Sequence, residues 1–94
     1  MNYEVEKQSG TDNGKRDDGV WIPFEVVKAN ALNGIPLLRA WREHLGLTQR
    51  EVAERSGMNQ TAYAEFERPD ARPRHATLRK IADAMGLKVE QIAD

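Results

Sequence analysis

The 94-residue sequence contains no cysteine, only two histidines and almost no net charge. Without cysteine the chain cannot form a disulfide, a thiolate nucleophile or a cysteine-based metal site. The two histidines, His44 and His75, lack the spacing of metal ligands, and no pair of carboxylates forms an evident acid–base dyad. We therefore expect no enzyme, no bound metal and no other cofactor.

Long apolar stretches are also missing. No segment approaches the roughly 18 apolar residues of a membrane-spanning helix, and the N-terminus has no apolar run typical of a secretory signal. The length suits one small domain. The sequence therefore predicts a cytoplasmic protein with no membrane contact.

The charge that is present is unevenly distributed. Residues 1–34 carry a net charge of −2 and residues 35–94 a net charge of +1, yet residues 68–80 alone hold five basic residues and one acidic residue. Such a local basic stretch can contact nucleic-acid phosphates in a nearly neutral protein. A solvated surface loop is the alternative interpretation.

We divide the chain into a leader, residues 1–34, and a helical domain, residues 35–94. Residues 9–19 contain three glycines and no apolar residue, which predicts disorder for residues 1–19, with a short strand over residues 2–7 as the one element that alternation suggests. Pro23 predicts the start of a helix that ends at Gly34.

The predicted leader helix has an apolar stripe made of Phe24, Val27, Ala31 and Leu32. This stripe either packs on the protein's own domain or docks another protein. Trp21 has the same two interpretations, as a cap on the core or as an anchor for a partner. The candidate partner-binding residues are Trp21, Ile22, Phe24 and Val27.

Hydrophobic spacing in residues 35–94 predicts an all-α fold of five helices, at about residues 36–45, 48–56, 59–68, 75–85 and 89–92. Thr48 and Glu51 fit a capping box, Gly57 suits a sharp turn, and Asn59 suits the N-cap of the next helix. Two short helices joined in this way form a helix-turn-helix, which presents its second helix to a DNA major groove. The residues predicted to face inward are Leu38, Trp41, Leu45, Val52, Ala53, Ala62, Tyr63, Phe66, Leu78, Ile81, Ala82 and Met85.

Several motifs agree in order and spacing: Leu45-Gly46-Leu47-Thr48-Gln49, then Glu51-Val52-Ala53, Ser56-Gly57 and Phe66-Glu67, and finally Ile81-Ala82 and Met85-Gly86-Leu87. Together they resemble the five-helix Cro/C1-type (Xre), lambda repressor-like DNA-binding domain over residues 35–94. The resemblance implies double-stranded operator DNA as a partner. It also implies a homodimer, for which we expect contacts around Leu87, Val89 and Ile92.

The same resemblance implies roles for individual residues. Gln49, Arg72 and Arg74 occupy phosphate-contacting positions, and Arg42 and Glu67 match a structural ion pair. The groove-facing positions correspond to Asn59, Gln60, Thr61 and Glu65. Glu65 either accepts from a cytosine amino group or pairs with Arg68 and contacts no base; we favour the pairing.

The leader extends the resemblance through Ile22-Pro23, Glu25-Val26-Val27 and Gly34-x-Pro36-Leu37-Leu38. This pattern is similar to HigA-like antitoxins that are paired with RelE/ParE-type toxins. It implies a protein that neutralises a toxin and represses the shared operon. Two alternatives stay open: a phage- or plasmid-type repressor without a toxin partner, and a protein-binding inhibitor that no longer reads DNA.

Overall fold

The computed structural model describes residues 19–93; the predictions of disorder and of a strand over residues 2–7 therefore lie outside the described residues, except at residue 19. The described residues form helices and no β-strand, which confirms the all-α class. The helices are α1 (Phe24–Asn33), α2 (Leu37–His44), α3 (Gln49–Ser56), α4 (Gln60–Phe66) and α5 (His75–Ala84). A C-terminal 3-10 turn (Val89–Gln91) takes the place of the predicted fifth helix of the domain.

Local capping chemistry defines the helix-turn-helix formed by α3 and α4. The Thr48 hydroxyl accepts a hydrogen bond from the Glu51 backbone N–H at 3.0 Å, and the Glu51 carboxylate accepts one from the Thr48 N–H at 2.8 Å. This reciprocal capping box starts α3, as predicted. Gly57 ends the helix at a φ of 75°, a left-handed conformation that glycine adopts without strain.

Side chains from all five helices form the core, together with Ile22 before α1 and Ile92 after α5. Trp41, Tyr63 and Ile81 are its largest members in the domain, each at most 2% exposed. The indole N–H of Trp41 donates to the Gln91 carbonyl oxygen at 2.8 Å, so the chain's C-terminal 3-10 turn is tied to α2. The buried apolar residues are Ile22, Val26, Leu37, Leu38, Ala40, Trp41, Val52, Ala53, Tyr63, Ile81, Ala82, Met85 and Ile92.

The end of α2 differs from the prediction. Leu45 was expected in the core but is 40% exposed, because α2 ends at His44 and Leu45 lies at its C-cap. Leu37 and Ala40 are buried instead, together with Leu38 and Trp41. The buried face of α2 therefore begins at Leu37, one residue earlier than predicted, and ends at Trp41, before the helix itself ends at His44.

Of the apolar stripe predicted on the leader helix, Val27 packs against the core, whereas Phe24, Ala31 and Leu32 are exposed. Phe24 is 58% exposed and Leu32 is 73% exposed, whereas Ile22 and Val26 are each only 1% exposed. Ile22 precedes α1, and Val26 is the buried residue within that helix, which packs against α2. Val27 is half-buried against the core. The core therefore draws on residues from both sides of the predicted domain boundary.

The segment before α1 is held against the C-terminal turn. The Trp21 carbonyl accepts a hydrogen bond from the Gln91 side-chain amide at 3.0 Å. The Trp21 ring packs edge-on against Trp41, with 6.2 Å between the ring centroids. None of the helices described here is long and apolar enough to cross a membrane.

We predict that Ile22→Ala lowers the free energy of unfolding by about 2–5 kcal/mol, because it removes a buried side chain and leaves a cavity. Urea denaturation of the full chain measures this loss. Phe24→Ala is the matched control in the same segment, and its exposed ring should contribute less than about 1 kcal/mol. Equal losses for the two variants would contradict the packing of the leader described above.

Candidate nucleic-acid interface

The start of α4 presents a row of polar side chains to solvent. Asn59, Gln60, Thr61 and Glu65 are all exposed, while Tyr63 on the opposite face is fully buried. The Asn59 side chain accepts a hydrogen bond from the Ala62 backbone N–H at 2.7 Å and thereby caps the helix, as predicted. The helix thus has one face in the core and its N-terminal polar face exposed to solvent.

Gln49 connects the first turn of α3 to this surface. Its amide N–H donates to a Glu67 carboxylate oxygen at 2.9 Å, and its amide oxygen accepts from the Gln60 amide at 3.4 Å. Gln49 was predicted only as a phosphate contact. In the structure its side chain joins α3 to the beginning and the end of α4.

The Arg42–Glu67 ion pair expected from the resemblance is present. The Arg42 Nε donates to one Glu67 carboxylate oxygen at 2.5 Å and an Nη donates to the other at 3.2 Å. The second Nη of Arg42 donates to the Leu47 carbonyl oxygen at 2.8 Å. Glu67 is 7% exposed and is the one buried charged residue in the described part of the chain.

Burial alone would raise the pKa of Glu67, but the hydrogen bonds from Arg42 and Gln49 outweigh burial and hold this pKa below its ordinary value. The hydrogen bond with Glu67 in turn raises the pKa of Arg42. A carboxylate whose pKa is lower in the folded state stabilises the fold above its unfolded pKa. That contribution is lost as the pH falls through the folded value.

Tyr63 is fully buried next to the Arg42–Glu67 ion pair. Its burial raises the pKa of the phenol above the ordinary value, and the neighbouring Glu67 carboxylate raises it further. The phenol therefore stays neutral at any physiological pH. Arg42 also lies 3.8 Å from a carboxylate oxygen of the exposed Glu43, so Glu67 is its closer acidic partner.

The predicted pairing of Glu65 with Arg68 is present, at 3.1 Å. Arg68 also lies 3.4 Å from an Asp70 carboxylate oxygen. Its positive charge is therefore largely offset by two exposed carboxylates. Glu65 has a partner within the protein, so the α4 surface is less acidic than the sequence alone suggests.

Arg72 and Arg74 lie in the segment that joins α4 to α5. Both are exposed, Arg74 is the N-cap residue of α5, and the Arg72 guanidinium donates to the Ala71 carbonyl oxygen at 2.9 Å. Among residues 19–93 neither forms an ion pair with a carboxylate. Their charges are therefore available to an external anion.

The structure separates the candidate partner-binding residues into two groups. Ile22 is buried in the core, and Val27 is half-buried against it, whereas Trp21 is 54% exposed and Phe24 is 58% exposed. Of the residues expected at a dimer contact, Ile92 is buried in the protein's own core; Leu87 and Val89 are half-buried. Packing within the chain therefore accounts for the burial of Ile22 and Ile92.

Within residues 19–93 no three His, Asp or Glu side chains come close enough to hold a metal ion together. The chemistry that this surface offers is instead hydrogen bonding and positive charge. Amide and hydroxyl groups cluster at the start of α4, and two unpaired guanidinium groups lie beyond its end.

A family model described as helix-turn-helix matches residues 38–92, which is more than half of the chain. Two solved structures are similar to this one. The restriction-modification controller protein C.AhdI from Aeromonas hydrophila is 25% identical, with a TM-score of 0.55 over 60% of this chain and 81% of that one. The clp gene regulator ClgR from C. glutamicum is 28% identical, with a TM-score of 0.56 over 72% of this chain and 79% of that one. No curated protein sequence matches the chain significantly.

We predict that Glu67→Ala lowers the free energy of unfolding by about 3–5 kcal/mol, because it removes the main partner of the Arg42 guanidinium, whose side chain is only 12% exposed. Glu54→Ala is the matched control: it removes the carboxylate of an exposed ion pair with Arg50 and should cost less than about 1 kcal/mol. Thermal and urea unfolding measure both effects. A melting temperature that Glu67→Ala leaves unchanged would show that the pair is not structural.

Proposed function

Because the chain belongs to the Cro/C1-type helix-turn-helix family, we propose that it is a DNA-binding transcriptional regulator that inserts the start of α4 into the major groove. The observation that carries this proposal is the exposed row of Asn59, Gln60 and Thr61 on a helix whose other face is buried. An amide can form a bidentate pair with adenine, and a threonine can contact a thymine methyl group or donate its hydroxyl. These side chains therefore supply the means of reading base edges.

Phosphate contacts complete the proposed interface. Arg72 and Arg74 extend beyond the end of α4 without carboxylate partners in the described part of the chain, and Gln49 lies at the first turn of α3. Contacts of this kind fix the register of a protein on the duplex and make its affinity depend on salt. Glu65 contacts no base in this proposal, since Arg68 already neutralises it.

We infer that the protein binds operator DNA as a homodimer. A helix as short as α4 reads few base pairs, and helix-turn-helix proteins gain specificity by binding two half-sites one DNA turn apart. Leu87, just before the C-terminal 3-10 turn, and Val89, its first residue, are half-buried and remain the proposed centre of the contact. Ile92 contributes by supporting this surface from the core.

We predict two distinct effects on binding to DNA taken from upstream of the protein's own coding sequence. Gln60→Ala should lower the ratio of specific to non-specific affinity about fivefold or more, since one bidentate base contact is lost. Arg72→Ala should weaken binding to every sequence and reduce the slope of log K against log salt by about 0.9. Fluorescence anisotropy at several salt concentrations separates the two.

Lys28→Ala, which removes an exposed cation from α1, is the control for loss of charge and should change neither quantity. Failure of the unmodified chain to bind this DNA even at low salt would contradict the proposal. It would favour the alternative of a protein-binding inhibitor that does not read DNA.

More specifically, we propose that the protein is the antitoxin of a type II toxin–antitoxin pair, neutralises a RelE/ParE-type toxin and represses the shared operon. The support is the acidic leader, with a net charge of −2 over residues 1–34, and the exposed rings of Trp21 and Phe24. Opposite charge steers association, and exposed aromatic side chains anchor interfaces. The alternative is a phage- or plasmid-type repressor that has no toxin partner.

Co-expression with the product of the adjacent gene tests this assignment. We expect that product to be a small basic protein that arrests growth alone and co-purifies with this chain. The double variant Trp21→Ala/Phe24→Ala should lose the complex while it still binds DNA. A neighbouring product that neither arrests growth nor co-purifies would leave the repressor without a toxin as the function.

A further inference from the structure

We infer that Trp21, Glu25 and Glu90, here called the acidic aromatic site, bind a lysine or arginine side chain of a basic protein partner. The inference rests on the proposed function, because it specifies how the leader would recognise a partner. It adds two points to that proposal: the chemistry of the contacted group, and the participation of the C-terminal 3-10 turn.

Trp21 lies between two open grooves. One, of about 640 Å³, is lined by Trp21, Pro23, Phe24, Glu25 and His44. The other, of about 530 Å³, is lined by Gly19, Val20, Trp21, Lys88, Glu90 and Gln91. The exposed indole therefore has a carboxylate within each of the two grooves that flank it.

These carboxylates are not neutralised by the protein itself. Over the described range, residues 19–93, neither Glu25 nor Glu90 forms an ion pair, although most other exposed acidic side chains near a base do so. Lys88 lines the same groove as Glu90 without pairing with it, and His44 is the other titratable group beside Trp21. An exposed aromatic face combined with unpaired carboxylates attracts a cation by both the ring quadrupole and direct charge.

The site is composite, since Glu90 lies 65 positions after Glu25 and 69 positions after Trp21 in the sequence. Gln91 holds them together: its carbonyl oxygen accepts from the Trp41 indole, and its side-chain amide donates to the Trp21 carbonyl. The edge-on contact of Trp21 with Trp41 fixes the orientation of the exposed ring. The leader alone therefore lacks the site, which exists only in the folded domain.

A basic partner at this site need not displace DNA. α1 packs against α2, whereas α4 packs against α3, and the unpaired arginines lie between α4 and α5. The only strongly basic stretch of this chain, residues 68–80, belongs to the proposed DNA surface. A second copy of the chain would have to place its residues 68–80 in the site, and those residues would then be unavailable to DNA. We therefore assign the site to a different protein.

Binding of a labelled octa-arginine peptide to the full-length chain tests the inference, with octa-glutamate as the peptide of opposite charge. We expect Trp21→Ala to weaken octa-arginine binding about two- to fivefold, since an exposed cation–π contact is worth roughly that factor. Trp21→Phe should retain part of the affinity, and Glu90→Gln should weaken binding without disturbing the core. Thermal unfolding of each variant checks that the fold is intact.

Glu54→Gln, on α3, is the control for loss of one exposed negative charge. Equal weakening by Glu54→Gln and Glu90→Gln would overturn the inference, because it would reduce the effect to overall acidity. A change in oligomeric state of Trp21→Ala on sedimentation would also overturn it in favour of a second copy. DNA binding by the same variants is measured in parallel, so that loss of the site and failure of the proposed regulator are told apart.

Discussion

The Glu67 carboxylate is the point on which the arrangement of the helix-turn-helix depends. It accepts hydrogen bonds from Arg42 on α2 and from Gln49 on α3, and it lies directly after the last residue of α4. Three helices therefore meet at one buried charge. Because a buried carboxylate is tolerated only when its oxygens are satisfied, the relative positions of these helices are constrained more tightly than apolar packing alone would require.

This constraint extends to the surface. Gln49 donates to Glu67 with one end of its amide and accepts from Gln60 with the other, so the Arg42–Glu67 pair and the exposed Gln60 side chain, which we propose reads bases, belong to one connected network. Side chains that recognise bases must be held in a defined geometry to discriminate between them. The network gives Gln60 that support from a residue that is itself fixed, while Thr61 relies on the helix backbone and the Asn59 cap.

The features that the sequence predicts well are those formed by neighbours in the chain. The Thr48–Glu51 capping box, the turn at Gly57 and the Glu65–Arg68 pair each join residues only a few positions apart, and local chemistry decides them. The buried residues of the leader could not be chosen in this way, because Ile22 lies before the helix and outside its periodicity. The burial of Val26 depends on the packing of α1 against α2, which is not encoded by neighbours in the chain. The Trp41–Gln91 hydrogen bond, which joins residues 50 positions apart, carries no local signal at all.

Packing of the leader against the domain changes the interpretation of its exposed residues Trp21 and Phe24. Once Ile22 and Val26 are buried against α2, Trp21 and Phe24 no longer belong to a loose apolar segment that could collapse onto the domain. They are held outward on a fixed support, and their exposure persists because the neighbouring apolar residues already fill the core. The domain buries Ile22 and Val26 and leaves the rings of Trp21 and Phe24 in water. Burial of those larger rings instead would have contributed more hydrophobic stabilisation to the fold. The partner contact proposed for those rings accounts for their exposure, which packing within residues 19–93 does not.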